Sequence, residues 1–452
     1  MSDGSPAQVR RSAEGTPGSN IFNIRVVPVI FVPGVMGSRL SIPGGHNWDP
    51  DANTAMVQIS LSSTDSKVSM LSVDARPALT TLQAMSKGAR TAIQANRQLM
   101  NIATALQRDQ LPLYEERGWG TVAWGFYGQI LMQLEAELNI ADPQLGLFML
   151  PNPVYAFGYD WRRSNADSGA ALLTFITATL ARHPGARQVI IVTHSMGGIV
   201  ARAAMALNPG VIASIVGVVH GAQPSNGAVV AYRRFLTGAT KKTDPATSGG
   251  FMGKIAAAVL NRIMGSTPEA YANLQAGLPG PLQLMPNHLY HHFDPSGPWL
   301  LTNPPVNLDQ VYGVYALPSS PGVLMAATPT VDLAKLTVNA SLSLRLLEAS
   351  FFHTFLGKTA HDNTHVLYST GVNTDVGVDL TTPFTIGMNK QELGDGTVPA
   401  VSGQCPHLPA SKVQTRQEFT GLEHAAVYSD SGFNQAVLDI VRMMMLGAQL
   451  AP

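Results

Sequence analysis

The chain has 452 residues, 45% of them hydrophobic and only 13% charged, with 29 basic and 29 acidic side chains that cancel to a net charge of zero. That length and apolar content support one large domain with insertions, or two ordinary ones. Without a net field there is nothing to draw in a polyanion, so nucleic acid is not an expected partner, and a charge-poor surface suits uncharged or apolar substrates.

Residues 1–20, MSDGSPAQVRRSAEGTPGSN, are rich in Ser, Gly and Pro and read as a flexible tail. No apolar run with a small-residue cleavage site follows Arg10 and Arg11, so no ordinary signal peptide is expected. The apolar stretches are interrupted before they could span a bilayer. These features leave a cytoplasmic place or signal-independent export as the expectation. The single cysteine, Cys405, excludes an internal disulfide and a cysteine-based metal cluster, and reads as a buried thiol.

RVVPVIFVPG (25–34) is a β-branched run stopped by Pro-Gly, which predicts a buried strand and a tight turn. Residues 50–118, rich in Ser, Ala and Gln, read as a partly helical insertion after it. TVAWGFYGQILMQLEAELN (121–139) ends as an amphipathic helix. VYAFGYDW (154–161) is strand-like, ALLTFITATLARH (171–183) helical, RQVIIVT (187–193) strand, MGGIVARAAMALN (196–208) helical and VIASIVGVVHG (211–221) strand. Strands and helices in alternation, joined by short loops, predict a mostly parallel sheet wrapped by helices.

Residues 227–305 lose that rhythm. They hold an apolar helical pattern at 251–265 and then a stretch rich in Pro, His and aromatic residues, which we read as a cap over the C-terminal edge of the sheet. Strand-like runs return at 310–317 and 365–370, with a helical candidate at 336–356 between them and a closing amphipathic helix at 433–446. The expected division is therefore a tail (1–20), a core (21–226 and 306–452, with the 50–118 insertion) and a cap or lid (227–305).

The chemistry centres on VTHSMGGIV (192–200). A strand that passes through x-x-Ser-x-Gly into a helix makes a sharp turn that lifts the serine hydroxyl above the sheet. It also aims the first free N–H groups of the helix at whatever binds there. Small residues surround Ser195, but the usual first glycine of the motif is Thr193. A serine needs a base, and the base needs a carboxylate to orient it. In this architecture they follow in the order serine, acid, histidine. Asp395 in GDGTVP (394–399) and His424 in GLEHAAVYSD (421–430) stand in that order, with room for a cap between serine and acid. An acyl transfer also needs donors for an oxyanion. The N–H of Met196 is one candidate, and the N–H of Val35, in the Pro33-Gly34 loop, is the second.

FVPGVMGSRL (31–40), YDWRRS (159–164), THSMGG, GDGTVP and the histidine of EHAAV together resemble the lecithin:cholesterol acyltransferase family of lipase-like α/β-hydrolases. The resemblance covers about 25–40, 120–225 and 365–430. It implies an α/β-hydrolase fold with a cap, Ser195 as nucleophile, Asp395 as acid, His424 as base, and Val35 and Met196 as oxyanion donors. Lipid esters are the implied substrate class, and neither a metal nor an organic cofactor is required. It also places Asp160, Trp161 and Arg162 beside the substrate pocket, although the residues themselves read better as a structural ion pair with a packing tryptophan.

The expected activity is lipase, phospholipase or acyltransferase chemistry, with a membrane or micelle surface as the place of encounter. Three alternatives stand beside it: a carboxylesterase on small soluble esters, an exported phospholipase effector acting on a competitor's membrane, and an inactive lipid-binding scaffold. Of the other histidines, His220 reads as structural, His361 and His365 as part of a solvated loop despite their metal-like spacing, and His291 and His292 as cap surface. The 18 methionines read as ordinary packing, with an adaptable acyl groove as the alternative.

Overall fold

The computed structural model describes residues 25–96, 111–139, 152–239, 259–293, 297–316, 340–381 and 394–450. The tail at 1–20 and parts of the expected insertion and cap lie outside them.

Six strands form the central sheet: β1 (Val29–Val32), β2 (Val154–Ala156), β3 (Val189–His194), β4 (Ile215–Gly221), β5 (Thr364–Thr370) and β6 (Val413–Thr420). They lie in the order β6-β5-β4-β3-β1-β2, and every neighbouring pair is parallel. Parallel strands need covered faces, and the strand residues alternate between two cores accordingly. Ile30, Val32, Val189 and Ile191 join one core with Leu172, Ile176, Val200 and Ala204 of helices α2 (Asn165–Ala181) and α3 (Met196–Leu207). Val29, Phe31, Ile190 and Val192 join the other. There they meet Ile130 and Leu134 of α1 (Trp124–Glu137), and Val437 and Val441 of the closing helix α5 (Ser431–Leu450).

Register brings the ends of the central strands level. Val32 at the end of β1 stands opposite Thr193, and Thr193 stands opposite His220 of β4. Whatever follows these residues emerges at one edge of the sheet.

Some expectations need correction. Residues 310–317 are not a strand: Val311–Ala316 is helical and packs against α4 (Ala340–Leu356). Buried Val311 and Tyr312 face a helical neighbour, which a short apolar run cannot reveal by itself. Pro209–Ser214 is a 3-10 turn, so β4 begins only at Ile215. β2 ends at Ala156, and Phe157 to Trp161 continue as irregular chain.

The segment read as a cap holds the helices Val229–Thr237, Pro268–Gln275 and Tyr290–Phe293, and Leu300–Leu301 pairs with Val378–Asp379. Arg202 of α3 donates from Nε to Thr359 O (2.8 Å) and from Nη2 to Gly357 O (2.7 Å). A buried guanidinium thus caps the C-terminal end of α4, where the helix dipole favours positive charge. Among the described residues no helix is long and apolar enough to cross a membrane.

Candidate active site

The turn after β3 is built around Ser195, a non-glycine residue with φ 52° and ψ −125°. That conformation is costly for an L-residue and persists only where the surroundings enforce it. Here they do. A Cβ on Gly197 would fall 2.4 Å from Val32 O, and one on Gly34 would fall 2.9 Å from Ser195 Cβ. The elbow and the loop after β1 are therefore in backbone contact that larger residues would push apart. Thr193, where a glycine is usual, lies inside the strand, and its Oγ1 stands 3.0 Å from Nδ1 of His220 on the neighbouring strand. The site thus converts the missing glycine into a cross-strand hydrogen bond.

His424 opens a 3-10 turn (His424–Ser429) just before α5, and its Nε2 lies 2.8 Å from Ser195 Oγ. Its Nδ1 lies 2.7 Å from Asp395 Oδ2, and its backbone N–H donates to Asp395 O at 2.8 Å. The other carboxylate oxygen, Oδ1, accepts from the N–H groups of Thr397 (3.0 Å) and Val398 (2.6 Å). Three side chains from three distant segments therefore form one hydrogen-bonded chain. Ser195 and Asp395 are buried, at 3% and 2% exposed, and His424 between them is half-buried. Low local dielectric strengthens each of its electrostatic links.

A second chain supports the first, and the sequence reading missed it. His194 Nε2 lies 3.0 Å from the backbone carbonyl of His424, which can only accept, so Nε2 carries the proton. Nδ1 then accepts from the hydroxyl of Tyr127 at 2.9 Å, and the tyrosine oxygen accepts from Gly34 N–H at 3.1 Å. Burial, with His424 nearby, lowers the pKa of His194 to about 3, and burial raises that of Tyr127, so both stay neutral in the roles the geometry gives them. The relay joins the loop after β1 to the backbone of His424. A histidine inside the serine motif was the available signal, but Tyr127 comes from a helix that no motif marks.

Val35 follows Gly34 in the turn against the elbow, and Met196 is the first residue of α3. Neither N–H donates to another group among the described residues. Asp160, Trp161 and Arg162 form a hydrogen-bonded cluster of their own. Arg162 makes a two-pronged pair with Asp160 (2.7 and 2.6 Å) and donates to Leu71 O (3.0 Å) and Arg76 O (3.1 Å). Asp160 also accepts from Leu79 N–H (2.9 Å), while Trp161 packs on Trp48. These three residues clamp the 71–79 segment.

Burial lowers the pKa of His220 to about 3. His361 and His365 are buried, not solvated: His361 donates from Nε2 to Ile215 O at 3.0 Å, and His365 sits on β5 between Asn363 and Thr415. Cys405 is a free buried thiol beside Gln223, and burial pushes its pKa up to about 11.

Comparison with known proteins agrees with this architecture. The family described as "PGAP1: PGAP1-like alpha/beta domain" matches residues 171–269, which include the elbow. No curated protein sequence matches the chain. The structure of a Tle4–Tli4 complex is similar with a TM-score of 0.63 at 18% identity, over 93% of this chain and 98% of the other. The lipase BlEst2 of Bacillus licheniformis is more distant, with a TM-score of 0.34 at 10% identity over 93% and 92% of the two chains. The chain has the α/β-hydrolase fold, with a parallel central sheet flanked by helices, and its residues 171–269 match the PGAP1-like alpha/beta domain.

Proposed function

We propose that the protein is a serine hydrolase acting on lipid carboxylic esters, as in lipases, phospholipases and the acyltransferases of the family its motifs resemble. The observation that carries this reading is the unbroken chain from Ser195 Oγ through His424 to Asp395, at 2.8 and 2.7 Å. In the proposed reaction Ser195 Oγ attacks the ester carbonyl as His424 Nε2 takes its proton. Asp395 holds the imidazole and stabilises its charged form. The carbonyl oxygen becomes an oxyanion between the N–H groups of Val35 and Met196. Collapse expels the alcohol, which receives the proton from His424, and leaves an acyl-serine. Water or a second alcohol then enters by the same steps in reverse. Residues 227–305, as a cap, would set acyl selectivity and water access, and hence the choice between hydrolysis and transfer.

A fluorophosphonate probe tests the reading. The wild-type protein should carry one adduct, on Ser195, and Ser195→Ala should carry none and lose turnover of nitrophenyl esters and phospholipids. No adduct on the folded wild-type protein would leave an inactive scaffold as the better account. Activity that fails to rise when the substrate passes into micelles would favour a soluble-ester carboxylesterase. An exported phospholipase effector is the second reading, and the similar fold was solved as a Tle4–Tli4 complex. Fatty-acid release from phospholipid vesicles without release from neutral-lipid emulsions would support it.

A further inference from the structure

Outside the Ser195 cluster, His291, His292 and Asp309 bring three metal-binding atoms within 4.8 Å of one another. The two histidines are consecutive on the short helix Tyr290–Phe293. Adjacent residues on a helix point in different directions and do not ordinarily share a partner. These two do. His292 Nε2 lies 2.9 Å from Asp309 Oδ1, and His291 Nε2 lies 3.4 Å from the same oxygen. Their ring centres are 3.8 Å apart. Asp309 reaches them from the Leu308–Gln310 turn, 17 residues beyond His292.

The spacing fits a single ion. Ligand atoms bound to four-coordinate zinc at about 2.0–2.1 Å stand roughly 3.3 Å apart at tetrahedral angles. The two distances to Asp309 fall on either side of that value. Two imidazoles with one carboxylate suit zinc and its neighbours in the transition series, whereas calcium and magnesium prefer sites made wholly of oxygen. Asp309 is 62% exposed on its side chain, so an ion has a path from solvent and a water can complete the shell. His288, three residues before His291, lies close enough to interact electrostatically with His292 and Asp309.

We propose that His291 Nε2, His292 Nε2 and Asp309 Oδ1 form a binding site for one divalent transition-metal ion of the zinc class. The ion ties the Tyr290–Phe293 helix to the Leu308–Gln310 turn. The site is structural, is separate from Ser195, and does not depend on the proposed esterase chemistry.

The test uses the full-length, untagged protein, stripped with chelator and dialysed. Zinc binding is followed by calorimetry, cobalt binding by visible absorption, and thermal midpoints are compared with and without zinc. The expected result is one ion per chain, the intense bands of low-coordinate cobalt, and a higher midpoint with zinc. Asp309→Asn and His292→Ala, both at exposed positions, should each weaken binding at least about tenfold and remove the midpoint shift. His46→Ala, an exposed histidine elsewhere, should change neither. Circular dichroism checks that each variant is folded. The proposal is overturned if the wild-type protein binds no more tightly than the double variant His292→Ala/Asp309→Asn, or if both variants keep full affinity.

Discussion

Two carboxylates, Asp395 buried and Asp160 half-buried, invite comparison. Asp160 and Asp395 each have both oxygens engaged and each holds a nitrogen base, Arg162 at 2.6 Å and His424 at 2.7 Å. They differ in where the partner's remaining nitrogens go. Those of Arg162 end on the carbonyls of Leu71, Ser72 and Arg76, so that network closes on itself. The remaining nitrogen of His424 ends on a hydroxyl in a strained turn. A guanidinium also stays charged at any ordinary pH, whereas an imidazole can take up and return a proton. A closed network with a fixed charge holds structure, whereas an open chain ending on a hydroxyl leaves a proton free to move.

The sharpest way to break this comparison is to disable each acid's partnership in turn. Asp395→Asn keeps the shape but loses the charge that orients the imidazole, and should lower kcat about 10⁴-fold in a folded protein. Arg162→Met should do the reverse: breaking a buried pair costs about 3–5 kcal/mol in denaturant unfolding, while the folded fraction still labels at Ser195. If Arg162→Met abolishes labelling without loss of stability, the distinction fails.

Three buried histidines, His194, His220 and His353, have pKa values lowered from 6.5 to about 3, chiefly by burial. In the unfolded chain they take up protons once pH falls below 6.5, and in the folded chain only near 3. Acid therefore favours unfolding across that window. The loss is up to about 1.4 kcal/mol per pH unit for each histidine, and none arises above it. Urea midpoints on either side of pH 6.5 measure the slope, and a flat profile would mean that these rings are charged in the fold.

Tyr127→Phe sharpens the comparison from the supporting relay. It strands Gly34 N–H and His194 Nδ1, and should cost about 1–3 kcal/mol of stability. It should also slow Ser195 labelling about tenfold or more, with kcat falling and KM nearly unchanged, because misplaced groups lose rate before they lose binding. Unchanged labelling would reduce the relay to packing. Thr193→Gly should have the smallest effect, with activity retained and roughly 1 kcal/mol lost with the bond to His220.

By itself the sequence determined the parallel architecture and pointed to Ser195, Asp395 and His424 as the candidate site. Short continuous β-branched runs, alternating with helical periodicity, bury both faces as a parallel sheet wrapped by helices. A serine between small residues at a strand end, followed by an Asp in a glycine turn and a His before the last helix, carries its chemistry in local pattern. Tertiary structure decided what local pattern does not encode. Val311–Ala316 became helix because α4 lies against it. His361 and His365 entered the core because Ile215 and Thr415 offered them partners. Tyr127 joined the site because α1 packs against the turn that begins at His424. Contacts between residues tens to more than a hundred positions apart depend on how faces dock, and local pattern does not record that docking.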